Sequence, residues 1–227
     1  MRRPWWFYEG AGVYRHVWIT KHHPIHIGKW ESIVRAELDG NLAHLSLSTV
    51  VENKTQSAVG VVVTWKIVDA QGSTISARRS SRQTVAAAGA STLEEKATVR
   101  SPQLWSIENP HLYFLLVSVI ADSKVTDAEQ ISFGIRFVHF DPAKGLSLNG
   151  QPVKIQGTCN HQDHAGVGVA LPDAIQRFRL SILRDMGCNA VRTSHNMPTP
   201  EWVEACDRAG VMMMCETRQM SSNVEGM

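Results

Sequence analysis

The spacing of apolar side chains changes near residue 141, and this limits what the chain can fold into. Between residues 42 and 140 the pattern has a period of two: Leu45, Leu47, Thr49 and Val51 alternate with polar or small neighbours, and Val59, Val61, Val63, Trp65 and Ile67 follow the same rule. Side chains alternate faces along an extended strand, so this spacing predicts antiparallel strands with one buried face. Turn-forming residues separate the runs at Glu52-Asn53-Lys54, Asp69-Ala70-Gln71-Gly72 and Ala88-Gly89-Ala90, and further strands are expected over 113–120 and 131–137. About seven short strands in roughly 100 residues match the size and rhythm of an immunoglobulin-like sandwich.

Beyond residue 141 the order becomes strand, helix, strand, helix, strand. An apolar strand is predicted over 153–159. Pro172 and Asp173 then open a helix whose Ile175, Phe178, Ile182, Leu183 and Met186 recur at helical spacing, with Gly187 placed to end it. A second unit follows, with a strand at 190–193, Thr199 and Pro200 as helix-start residues, an apolar stripe of Trp202, Val203, Cys206 and Ala209, a stop at Gly210 and a third strand at 211–215. Short buried strands alternating with helices predict a parallel sheet of βαβ units. A closed barrel needs eight such units, so the expected fold is an all-β immunoglobulin-like sandwich followed by a partial (β/α)₈ TIM barrel of about three strands.

With 43% hydrophobic and 19% charged residues, the 227-residue chain has enough apolar material for packed cores. Its net charge of +2 lacks the basic excess expected of a nucleic-acid binder. Uninterrupted apolar runs stay far below the roughly 20 residues of a membrane-spanning helix, and the start of the sequence lacks a signal-peptide pattern, so a cytoplasmic location is expected. Cys159, Cys188, Cys206 and Cys215 show no metal-finger or disulfide-scaffold spacing and read as reduced, mostly buried thiols.

Several ordered motifs carry a resemblance to glycoside hydrolase family 2, which contains β-galactosidases, β-glucuronidases and β-mannosidases. They are Pro102-Gln103-Leu104-Trp105-Ser106-Ile107-Glu108-Asn109-Pro110-His111-Leu112-Tyr113, Phe133-Gly134-Ile135-Arg136, Leu148-Asn149-Gly150-Gln151-Pro152, the run from Gly157 to His161, Asn189-Ala190-Val191-Arg192-Thr193-Ser194-His195 and Cys206-Asp207-Arg208-Ala209-Gly210. The stretch from Tyr8 to Trp18 is similar to the closing strand of that family's N-terminal jelly-roll sugar-binding domain. The resemblance implies three regions: 1–25 as the terminal strand of the jelly roll, 26–140 as the sandwich and 141–227 as the N-terminal part of the barrel. The string from Gly157 to His164 resembles a bacterial β-galactosidase branch, which implies a β-galactoside-type carbohydrate as ligand.

A retaining glycosidase needs two carboxyl groups about 5–5.5 Å apart. In the family these are glutamates on later barrel strands, the acid/base following an Asn. No Asn-Glu pair occurs in this sequence, so no catalytic residue is assigned, and the expectation is a fragment of a retaining enzyme with little glycosidase activity by itself. Part of the sugar pocket remains, because the functional groups of such barrels sit at the C-terminal ends of the strands. By resemblance, His161 and His195 donate to sugar hydroxyls, Asp163 accepts from one, and Arg192 orients or neutralises nearby carboxylates, with Glu216 at the end of strand three. From the residues alone, Arg192 equally suits a structural ion pair and Glu216 a helix cap. Gln162 and Asn160 depart from the commoner family pattern, as does Cys215-Glu216-Thr217-Arg218.

Other expectations come from residue type. Cys159, His161, Asp163, His164 and His195 are ligand types at adjacent strand ends and would form a divalent-metal site, making the chain a metal-assisted esterase or phosphoesterase. A third alternative is a non-catalytic sandwich acting as an interaction module. His22, His23 and His26 read as a solvated linker, and Arg78, Arg79 and Arg82 as charges guarding a strand edge. Trp65, Trp105 and Phe133 are expected in the sandwich core. Trp5, Trp6 and Trp18, together with Met212, Met213 and Met214, would leave apolar strand surface exposed and drive homo-oligomer formation.

Overall fold

A computed structural model describes residues 12–216. The described residues divide into two compact units, 20–153 and 12–19 with 154–216. The first unit is a β-sandwich. Its strands are β1 (Ile25–Asp39), β2 (Leu42–Asn53), β3 (Val59–Val68), β4 (Thr74–Arg79), β5 (Gln83–Val85), β6 (Gly89–Arg100), β7 (Tyr113–Ala121) and β8 (Lys124–Phe133). One sheet has the order β1-β2-β6 and the other β4-β3-β7-β8, with β5 also pairing β3. All these pairings are antiparallel. A short meander of β9 (Val138–Asp141), β10 (Gly145–Leu148) and β11 (Gln151–Pro152) completes the unit.

The period-two pattern gives the inward face directly. Leu45, Leu47, Val51, Val61, Val63, Trp65 and Ile67 are buried in one core with Leu93, Leu115, Val117 and Ile135. Thr49 occupies an inward position in the same row and is fully buried. Its hydroxyl accepts from the Trp65 indole Nε1 at 2.9 Å and lies 3.1 Å from Ser32 Oγ, so this polar side chain in the buried row is hydrogen-bonded. Trp105 is also buried, with Arg136 stacked 4.5 Å from its ring centroid, while Phe133 is half-buried. A Cβ on Gly134 would come within 2.9 Å of Trp105 Cβ, which accounts for glycine in the Phe133-Gly134-Ile135-Arg136 motif. Arg78 and Arg79 lie exposed on β4, an edge strand, as expected of charges that discourage edge pairing.

The alternation rule missed β1. The ladder pairs Ile27 with Val51 and then Ser32 with Thr49, so a bulge interrupts the pattern between them. Trp30 sits in that bulge with a φ of 62° and is 75% exposed, with the Lys29 ammonium over its ring. The supposed histidine linker is therefore partly strand. His26 lies on β1, its ring stacked on His22 at 4.8 Å and its Nε2 3.5 Å from Glu52 Oε2.

The second unit holds β12 (Gly157–Asn160), α1 (Asp173–Asp185), β13 (Ala190–Thr193), α2 (Pro200–Ala209) and β14 (Met212–Met214). The three strands form a parallel sheet in that order. The first strand is shorter than predicted. Residues 153–156 are outside the ladder, and Asn189 holds them instead, through Nδ2 to the Lys154 carbonyl and Oδ1 to the Gln156 amide. A Cβ on Gly157 would run into the Ala190 carbonyl, so the close approach of β12 and β13 requires glycine there. In α2, Thr199 caps the helix by accepting from the Trp202 amide, Pro200 starts it, and Gly210 ends it with a φ of 69°.

The apolar stripe predicted for α1 is wrong in part. Gln176, Leu180 and Leu183 face the core, whereas Phe178, Ile182 and Met186 lie on the opposite side and are exposed. Both rows have helical spacing, so periodicity alone does not choose between them. In α2, Trp202 and Cys206 are buried as expected, and Val203 is exposed. Residues 12–18 form no strand, Trp18 is exposed, and Trp5 and Trp6 lie outside the described residues. Among the described residues no helix is long and apolar enough to cross a membrane.

Candidate functional site

The parallel register sets Cys159 beside Arg192 and Asn160 beside Thr193, which places the ends of β12 and β13 level with one another. Ser194 and Glu216 then continue from β13 and β14. The Ser194 amide donates to the Asn160 carbonyl at 3.1 Å, and the Glu216 amide donates to the buried Thr193 hydroxyl at 2.9 Å. These bonds bring three separate chain ends to one level.

Glu216 is the centre of the resulting group. One carboxylate oxygen lies 2.6 Å from Arg192 Nη2, in an ion pair that lacks hydrogen-bond alignment. The other accepts from His195 Nδ1 at 2.7 Å. The carboxylate is thus held between a guanidinium and an imidazole, with about a quarter of its side chain exposed. His161 sets its ring 5.6 Å from that of His195, at 81°. Arg192 also directs Nη1 toward Cys159 Sγ at 3.5 Å and Ser194 Oγ at 3.4 Å. The hydrogen bond from Arg192, followed by one from Ser194, favours the thiolate and lowers the Cys159 pKa. The same bond to Cys159 is the main reason the Arg192 pKa rises.

Of the five residues assigned by resemblance, His161, Arg192, His195 and Glu216 come together. Asp163 is tied to a residue that sequence patterns did not mark, Arg179 on α1. Arg179 Nη2 donates to the His161 carbonyl at 2.8 Å and Nη1 to the Asp163 carbonyl at 3.2 Å. Arg15 was also missed. It donates to the Met197 carbonyl at 2.7 Å and to Gln162 Oε1 at 3.4 Å. A cavity of about 80 Å³ lies among Tyr14, Arg15, His161, Arg179, Glu201 and Trp202.

The metal set expected from Cys159, His161, Asp163, His164 and His195 does not assemble. Arg179 holds the backbone of His161 and Asp163, and His164 starts a tight turn closed by paired bonds with Gly168. Among the described residues, the His, Cys, Asp and Glu side chains that do converge are His16, Asp173 and Glu201, with ligand atoms within 4.8 Å of one another. His16 Nε2 and Asp173 Oδ1 are 3.0 Å apart, and this contact keeps the imidazole protonated to a higher pH than usual. The trio therefore reads as an ion pair with a neighbouring carboxylate.

A sandwich together with the opening strands of a parallel βα barrel, bearing polar side chains at the strand ends, is the layout of a barrel enzyme with an accessory β-domain. Comparison with known proteins identifies which one. Residues 25–136 match the model for glycosyl hydrolases family 2, and residues 142–227 match the TIM barrel domain of the same family. The chain is 38% identical over 216 residues to a β-galactosidase from Bacteroides ovatus, covering 94% of this chain and 25% of that protein. It is 30% identical over 212 residues to a putative β-glucuronidase from Formosa agariphila, covering 92% and 24%. A solved family 2 member from Bacteroides cellulosilyticus superimposes with a TM-score of 0.87 at 32% identity, over 92% of this chain and 29% of that one. The chain belongs to glycosyl hydrolase family 2, and it spans about a quarter of the length of these curated relatives.

Proposed function

We propose that the chain is the sandwich and first barrel segment of a retaining glycosidase acting on β-linked sugars, and that it supplies one wall of the sugar pocket. The observation that carries this is the Glu216 carboxylate held between Arg192 and His195, with His161 alongside, at the C-terminal ends of parallel strands. Both Glu216 oxygens are engaged, so its chemistry is to fix His195 and balance Arg192, while the two imidazoles offer N–H groups suited to sugar hydroxyls. Asp163 would accept from a further hydroxyl. The division of labour leaves proton transfer and nucleophilic attack to glutamates outside these 227 residues.

A β-galactoside is the favoured substrate class, on the strength of the 38% identity to the Bacteroides ovatus β-galactosidase; the similarity to glucuronidases makes glucuronides the comparison to run. Histidine-labelled protein titrated with galactose should show perturbed His161 and His195 imidazole signals, with a smaller response to glucuronate. No response to either sugar would overturn the pocket assignment. Turnover of nitrophenyl β-galactoside by the purified 227-residue chain would overturn the division of labour. A metal-assisted hydrolase finds no support in the arrangement of its expected ligands.

A further inference from the structure

We infer that Arg179 is a positioning residue for the pocket proposed above: its guanidinium sets the direction in which His161 and Asp163 present their side chains. The inference rests on that pocket for its functional meaning and on local geometry for its physical content.

The β12–β13 ladder ends at the pair Asn160 and Thr193. The next fixed feature is the tight turn in which the His164 and Gly168 amides and carbonyls bond reciprocally at 2.9 Å. Residues 161–163 span the gap between ladder and turn. Their carbonyls at 161 and 163 converge on the two terminal nitrogens of Arg179, at 2.8 and 3.2 Å. Each held carbonyl belongs to the peptide plane on the C-terminal side of its residue, 161–162 and 163–164, so anchoring both restrains ψ at His161 and Asp163 and with it the directions of their Cα–Cβ bonds. A planar fork with rigidly spaced donors can hold two acceptors at once, which a single ammonium cannot.

The guanidinium is itself held. Its carbon lies 5.6 Å from the ring centroid of Trp202, a buried residue in the first turn of α2. The N-cap of that helix, Thr199, lies four residues past His195 and also bonds the buried Gln176 of α1. The arginine thus joins the loop after the first strand to the helix that follows the loop after the second. Burial lowers the Arg179 pKa, and the field of Asp163 only partly opposes this. A charge kept in a partly desolvated place, with backbone carbonyls as its hydrogen-bond acceptors, indicates that holding those carbonyls is its task.

The test uses the 227-residue chain, uniformly labelled, with Arg179→Lys and Arg179→Met. Amide signals of Leu180, Val191 and Cys206, in the core of the unit that holds Arg179, report folding in every sample. In both variants the His161 imidazole signals should move or broaden, and amide exchange at His164 and Gly168 should speed up by about tenfold, equivalent to about 1.4 kcal/mol. Lysine should fail to restore the wild-type signals, because it can hold one carbonyl at a time. Unchanged His161 signals and unchanged exchange in folded Arg179→Met would overturn the inference and leave only packing on Trp202. Full restoration by lysine would overturn the fork argument. Galactose separates the two levels: if wild type does not bind it, the pocket proposal fails while the exchange data still decide the role of Arg179. Equal galactose affinity in wild type and Arg179→Met would overturn the positioning role.

Discussion

Thr49→Val isolates one buried hydrogen bond in the sandwich. Valine has nearly the shape of threonine, so it opens no cavity, and Thr49 sits on a strand where a β-branched residue is well accommodated. What it removes is the acceptor 2.9 Å from Trp65 Nε1, in a place where both residues are at most 1% exposed and water cannot substitute. The Ser32 hydroxyl, only partly buried, can turn to solvent. The cost is then mainly the desolvation of one orphaned indole N–H, about 2 kcal/mol. For a unit of this size that corresponds to a fall of about 6 °C in melting temperature. Urea denaturation followed by the sandwich amide signals, with the slope unchanged, measures it directly. Trp65→Phe removes the donor instead and also loses indole contacts. Once the donor is gone, removing the acceptor should cost little, so the double variant should be about 2 kcal/mol more stable than additivity predicts, the cost of the orphaned N–H. A loss below about 0.5 kcal/mol for Thr49→Val, or strict additivity, would refute the claim that this bond accounts for a polar side chain in the core.

Three further outcomes follow from the same geometry. With a disulfide reagent, Cys159 should react at lower pH than an ordinary thiol because Arg192 favours its thiolate, and Arg192→Met should move that profile upward; Cys206, whose pKa burial pushes up to about 12, should stay unreactive until the protein unfolds. The His16 imidazole should titrate above its usual range, chiefly through its bond to Asp173. Its contribution to stability is therefore fully present below the unfolded pKa of about 6.5 and lost as pH rises through the folded value, and Asp173→Asn should bring the His16 midpoint down in a histidine NMR titration. The exposed Phe178, Ile182 and Met186 row and the exposed Met214 should promote self-association, so sedimentation at tens of micromolar should detect dimers or larger species, and a clean monomer would count against it.

Much of the architecture is legible in the sequence, for a local reason. Alternation in β2 and β3 specifies which face is buried, because a strand has only two faces and one is apolar at nearly every position. Thr199, Pro200 and Gly210 mark the ends of α2 because caps act on their own backbone neighbours. His161, Arg192 and His195, which the fold brings together, stand in ordered motifs at strand ends. By contrast β1 is obscured by its bulge at Trp30, and the stripe on α1 is ambiguous because two rows of helical spacing carry apolar residues and the buried one also holds the polar Gln176.

The sequence by itself determined the two periodicities, the helix caps and the family, since each is written in neighbouring residues or in motifs kept in order. Only the tertiary structure decided which row of α1 faces the sheet and that the five metal-ligand candidates do not meet. It also brought Glu216 between Arg192 and His195, and placed Arg179 under a loop 16 to 18 residues before it. Those outcomes depend on strand register and on where a long side chain comes to rest after the backbone has packed. Both are contacts between distant segments, and no spacing rule along the chain encodes them.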